Sequence, residues 1–192
     1  MEMGIIQGKE NSPVSYDDPG RGFPCPRDGR RRWEVERETL VRVVEGMCPF
    51  AQRTHLRLEQ IDEARGEVTV VMGDDPANLN AFGLVHAGAI CGLAETAGGM
   101  AIMRYLDPGE VLVLNTVFNV RYLHPPRGEL RCTARVVKEE ARALLEEFER
   151  KGRADKAMDL KVFDSSGTMV AQAQATFRLV RTPEEYRKYI PE

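Results

Sequence analysis

One stretch limits this chain more than any other: NLNAFGLVHAGAICGLAETAGGM, running from Asn78 to Met100. It is the most apolar segment, it is punctuated by glycines, and it carries a carboxylate, Glu95, in its middle and a histidine, His86, near its start. At about 100° per residue, Gly88, Gly92, Glu95 and Gly99 share one face of a helix, while Ile90, Leu93, Ala97 and Met100 occupy much of the remainder. A helical glycine costs on the order of 1 kcal/mol relative to alanine. Repeating that cost implies close approach of a sheet, another helix or a ligand, and packing alone gives no reason for an acid among the glycines. The apolar run from Leu84 to Leu106 approaches membrane-spanning length. A charge at mid-bilayer costs roughly 3 kcal/mol, however, so a buried helix of a soluble protein is the expectation.

The flanking sequence supplies what such a helix packs on. Before it, HLRLEQI and EVTVVMG alternate in the manner of half-buried strands and are joined by DEARG, which predicts an antiparallel hairpin. After it, strands are predicted at Val111–Tyr122, Glu129–Val137, Leu160–Phe163 and Met169–Val180. KEEARALLEEFERKGR interrupts them with one apolar face at Leu144, Leu145 and Phe148, so it reads as an inserted amphipathic helix. Val35, Leu40, Val43 and Val44 mark a helix from Trp33 that stops before Pro49. The expected architecture is α+β: an antiparallel sheet wrapped around one long central helix, with an extra helix between later strands. Residues 1–32, rich in Gly, Pro and charge, read as an irregular tail in which Arg30, Arg31 and Arg32 form a solvated linker. The main domain then covers 33–181 and a short C-terminal tail 182–192.

Charge and cysteine usage exclude several classes. The chain has 192 residues and a formal net charge of −3, which gives no electrostatic reason to expect nucleic acid or an anionic membrane as partner. Cys25, Cys48, Cys91 and Cys132 are scattered with no C-x-x-C pair, so neither a zinc site nor a disulfide framework is expected. Free thiols in a reducing cytoplasm are the simpler reading. Ser12, Ser15, Ser165 and Ser166 are the only serines, and none stands in the G-x-S-x-G of a serine hydrolase.

The long helix offers the parts of acyl-transfer chemistry. Its first N–H groups, near Ala87 and Gly88, lack intrahelical partners and sit at the positive end of the dipole, where an oxyanion can be held. Asn80, just upstream, can add a donor or orient a water, and Glu95 can serve as base or nucleophile. Glu95 lies roughly 10–12 Å along the axis from Gly88, too far for one carbonyl to touch both within a chain. Two antiparallel copies remove the difficulty, because the acid of one then faces the helix start of the other, twice per isologous dimer.

NAFGLVHAGAICGLAETAGG also resembles the PaaI-type branch of hotdog-fold acyl-CoA thioesterases, with Asn80, Gly83, His86, Gly88 and Glu95 in register. NTVFNVRYLHPPRGEL is similar to that family's next strand and Pro-x-x-Gly turn, and the resemblance runs from about Val41 to Val180. It implies a hotdog fold, a homodimer or dimer of dimers, an acyl-CoA substrate, and neither metal nor redox cofactor. Glu95 would attack the thioester or activate water, Ala87 and Gly88 would bind the oxyanion, and Asn80 would position water or the carbonyl. Asn115, with Thr116 beside it, falls where the family often has an assisting polar residue. His86 is a candidate base, although the family's histidine more often holds the helix start. Arg121 and Arg127 are candidates for the phosphates of coenzyme A. Ala87 departs from the family's first glycine; it keeps its N–H but adds a methyl, and the inserted helix is not part of the basic fold. A non-catalytic acyl-ligand-binding hotdog protein and a hotdog enoyl-CoA hydratase or dehydratase are the alternatives.

Overall fold

The computed structural model describes residue 35 and residues 37–187. The tail at 1–32 with its arginines and Cys25, the start of the first helix at Trp33, and residues 188–192 lie outside the described residues. Helix α1 (Arg37–Val41) runs into a π-helical turn, Arg42–Met47, and helix α2 (Pro49–Arg53) follows. Pro49 therefore opens a helix as well as ending one. At the first helical position its missing N–H has no partner to lose. Leu40, Val44 and Ala51 are buried, and Glu45 Oε1 accepts the Leu58 N–H at 2.9 Å, which fastens this segment to the first strand.

Six strands follow: β1 (Leu56–Asp62), β2 (Glu67–Met72), β3 (Val111–Tyr122), β4 (Leu130–Arg135), β5 (Arg153–Asp164) and β6 (Met169–Arg181). They form one sheet in the order β1-β2-β4-β5-β6-β3, and every pairing is antiparallel. The predicted hairpin is β1–β2, and β3 has the predicted bounds. β5 is longer than the sequence suggests, because Lys156 stands on its inward register and Ala157 on its outward one, which breaks the alternation. A cross-strand pair fastens this stretch: Asp155 stands opposite Arg178, whose Nε and Nη2 donate to its two carboxylate oxygens at 2.7 and 2.8 Å.

Across one face of the sheet lies α3 (Ala87–Met103), the long helix, which buries Ile90, Leu93, Ala97, Met100 and Ala101 against the strands. β6 turns Ala171, Ala173 and Ala175 toward it, and small side chains there let helix and sheet approach closely. The same close approach explains Gly98. A Cβ at that position would lie 2.5 Å from Phe177 Cζ, so the buried ring of β6 takes up the missing side chain's volume.

Helix α4 (Lys138–Lys151) is the predicted insertion. It sinks Ala141, Leu144, Leu145 and Phe148 into the same core and packs beside β5. Gly152 ends it at φ 72°, the left-handed cap glycine adopts without strain. A short helix α5 (Glu184–Arg187) follows β6. Among the described residues no helix is long and apolar enough to cross a membrane.

Candidate active site

The approach to α3 is built from main-chain bonds. Asn78, buried, donates through Nδ2 to the carbonyls of Thr54 (3.0 Å) and Gly73 (3.3 Å), and its own carbonyl accepts the His86 N–H at 2.7 Å. Asn80 Oδ1 accepts from the N–H groups of Phe82 (2.9 Å) and Leu84 (3.2 Å), closing the loop at Gly83, whose φ of 70° favours glycine. The oxygen of Asn80 thus shapes the loop, and Nδ2 remains as its donor.

His86 is the N-cap. Its Nδ1 accepts the Gly88 N–H at 2.9 Å. That bond occupies one of the two N–H groups expected to face an oxyanion. The Ala87 N–H, first in the helix, is not capped by His86 and has no intrahelical partner. Ala87 and Gly88 are both exposed.

Glu95 stands two turns further along, about 12 Å from Ala87 at 1.5 Å per residue. It projects from the exposed side of α3, and among the described residues no cation pairs with it. Neighbouring atoms nevertheless crowd the carboxyl, and desolvation raises its pKa above the ordinary glutamate value.

Two aromatic side chains that the sequence reading did not single out flank this face. Phe50, from α2, fills the notch at Gly92, where a Cβ would lie 2.4 Å from its Cε1. Tyr122, at the end of β3, donates from its hydroxyl to the Ala87 carbonyl at 3.2 Å and lies 3.1 Å from Cys91 Sγ. Burial, with a smaller effect from Cys91, pushes the Tyr122 phenol up to about 12. Gly92 and Cys91 are about 100° apart on the helix, and the line from Gly88 to Glu95 runs between them. Phe50 and Tyr122 are 46% and 47% exposed, so each ring forms a half-open wall. No local pattern marks either residue, because both contacts join segments distant in sequence.

The remaining predicted residues divide into two groups. Arg121 precedes Tyr122, and Arg127 follows Pro126, whose carbonyl accepts the Val85 N–H at 3.4 Å. Both arginines are exposed at the corner where α3 begins. Asn115 lies seven residues before Tyr122, roughly 23 Å along β3 at 3.3 Å per residue, so within one chain it is remote from that corner. Its Nδ2 is buried with no hydrogen-bond partner, and a β-bulge lies beside it. Thr116 Oγ1 donates to the Thr176 carbonyl at 3.2 Å. The fold therefore gathers Asn80, His86, Ala87, Gly88, Arg121 and Arg127 at one corner, holds Glu95 two turns away, and leaves Asn115 and Thr116 apart.

Comparisons with known proteins agree with this architecture. A family model described as a domain of unknown function, DUF4442, matches residues 36–179. A candidate esterase of Halobacterium salinarum is 35% identical over 100 residues, covering 52% of this chain and 62% of that protein. The chain thus spans less than two thirds of that relative's length. Among solved structures, PA5026 of Pseudomonas aeruginosa, a protein of unknown function described as a candidate thioesterase, is 28% identical with a TM-score of 0.69, over 78% of this chain and 98% of that one. The thioesterase HI1161 of Haemophilus influenzae is 16% identical with a TM-score of 0.61, over 80% of this chain and 98% of that one, and shares the fold. An antiparallel sheet around one long helix, shared with these proteins, is the hotdog fold, and the match across 36–179 establishes that the chain belongs to the DUF4442 family.

Proposed function

We propose that the protein hydrolyses an acyl-CoA thioester to the free acid and coenzyme A, with Glu95 as nucleophile or general base. The observation that carries this is Glu95 itself: a carboxylate on an open, glycine-lined helix face, desolvated and, among the described residues, without a cation. Such a group contributes nothing to packing, and a pKa raised by desolvation makes it a stronger base than an ordinary glutamate. Thioesterase and esterase descriptions on similar proteins point to the same chemistry.

In this reading the thioester oxygen accepts the Ala87 N–H at the positive end of α3. Glu95 attacks the carbonyl carbon, or removes a proton from the water that does. The carbon–sulfur bond breaks and the thiolate leaves. Where Glu95 acts as base, it returns to the thiolate the proton it took from water. Where it acts as nucleophile, a water molecule then cleaves the acyl–Glu95 anhydride, its oxygen entering the free acid and its proton going to the thiolate. Asn80 Nδ2 orients the water or the carbonyl, and Arg121 and Arg127 meet the phosphates of coenzyme A. The 12 Å between Glu95 and Ala87 requires a composite site, Glu95 from one protomer and the helix start from its partner. β3 favours such a homodimer. It is a 12-residue edge strand paired only with β6 among the described residues, and Val117 is 46% exposed on it. A long unpaired edge is a template for a second strand.

The test is release of free thiol from a panel of acyl-CoAs. Turnover is expected for the wild type, with Glu95→Gln slower by at least about a hundredfold, the scale of general acid–base catalysis. An unchanged rate in that variant excludes Glu95. Binding across the panel without thiol release makes the protein a ligand-binding module, and hydration of an enoyl-CoA makes it a lyase.

A further inference from the structure

Phe50 is the side chain on the Glu95 face that packing explains least. The buried rings of this core, Phe148 and Phe177, are each 1% exposed, whereas Phe50 is 46% exposed. Its tip lies against α3: a Cβ on Gly92 would lie 2.4 Å from Cε1 and 2.5 Å from Cζ, so these atoms rest where a side chain of α3 would begin. Side-chain bonds to backbone carbonyls hold the segment that carries it. Thr54 Oγ1 donates to the Phe50 carbonyl at 2.7 Å, and Gln52 Nε2 donates to the carbonyls of Gly46 at 2.9 Å and Glu45 at 3.2 Å, which pins α2 at both ends. Gly92 is three residues before Glu95 on the same strip of helix. A hydrocarbon chain leaving a carbonyl at Glu95 along that strip meets the ring within about one turn, 5.4 Å.

We propose that Phe50, seated in the Gly92 notch, limits the length of the acyl chain that the site accepts. The proposal rests on the hydrolase reading above and adds to it the residue that sets specificity. Tyr122 closes the opposite side, with its hydroxyl tied to Ala87 and Cys91, so the strip extends past Glu95 on the Gly92 side only by displacing Phe50. Glycine at 92 matters for the same reason: any side chain there has to evict the ring.

The experiment measures kcat/KM on saturated acyl-CoAs from acetyl to dodecanoyl for the wild type, Phe50→Ala and Phe50→Leu, together with the affinity of each for non-hydrolysable thioether analogues of the same lengths. Phe50→Ala is expected to raise the ratio of long-chain to short-chain kcat/KM by about tenfold or more, the scale of a few methylenes in an apolar pocket, with Phe50→Leu in between. The thioether affinities should move the same way. An unchanged ratio in a folded Phe50→Ala protein overturns the proposal, and should that variant fail to fold, Phe50→Leu decides it by the same ratio. If the wild type releases no thiol from any substrate, the hydrolase reading fails, and the thioether affinities alone decide: a gain confined to long chains in the variants supports the proposal, and its absence overturns it.

Discussion

A carboxylate becomes a useful base when its surroundings make protonation easier without removing it from reach. Glu95 meets both conditions, since it is exposed on α3 yet desolvated, with no cation among the described residues to hold the charge. In the proposed reaction its ionised form is the working one, whether it attacks or takes a proton. With the pKa raised, the acid limb of the kcat profile should lie above the ordinary glutamate range, with activity kept at higher pH and lost as pH falls through the raised value. Stability carries the opposite sign. The folded chain binds this proton more tightly than the unfolded one, so ionisation at Glu95 disfavours folding. Thermal melts of Glu95→Gln against the wild type should therefore show a gain that grows as pH rises through that window and vanishes well below it. A limb at or below the ordinary range, or a gain confined to acid pH, contradicts this picture of the site.

At the scale of elements, α3 answers the question raised by its glycines. Gly92 makes room for Phe50 and Gly98 for Phe177, and adjacent positions respond differently to a methyl group. At Gly98 the new Cβ would lie 2.5 Å from Phe177 Cζ and 3.3 Å from Leu160 Cδ1, in a fully buried setting where overpacking costs about 1–3 kcal/mol. At Gly99 the nearest atom is Phe177 Cε1 at 3.9 Å, an ordinary contact, and the gain in helix propensity is about 1 kcal/mol. Gly98→Ala should thus lower Tm and Gly99→Ala should not; equal effects in differential scanning calorimetry would deny that Phe177 sets the spacing. The sequence made α3 legible because its periodicity is local, and β3 because its alternation is bounded by turns. It concealed most of β5, where Lys156 and Ala157 break the alternation and Asp155 meets Arg178 only across the sheet, and both aromatic walls of the site, since Phe50 meets Gly92 and Tyr122 meets Ala87 only after folding. The bonding role of His86 at the helix start was implied by the family resemblance and not by any local pattern, because a cap is recognised by geometry at the first turn.

For the whole molecule, everything turns on whether one site draws on two chains. In the proposed reaction the separation of Glu95 from Ala87 calls for it, and the edge of β3, paired only with β6 among the described residues, is where a second copy would bind. Two variants disable opposite halves of the proposed site. Glu95→Gln removes the acid. Ala87→Pro removes the N–H while keeping the helix, because proline is tolerated at the first helical position and the preceding His86 is already extended, with ψ 136°. Loss of one oxyanion donor should lower kcat about a hundredfold to a thousandfold. The decisive measurement is thiol release by the mixed dimer, co-expressed with a different tag on each variant chain and purified through both. One of its two sites then combines an intact Glu95 with an intact Ala87 N–H, and the specific activity should recover to about half that of the wild type. A mixed dimer as inactive as its two parents would show that no site is shared between chains.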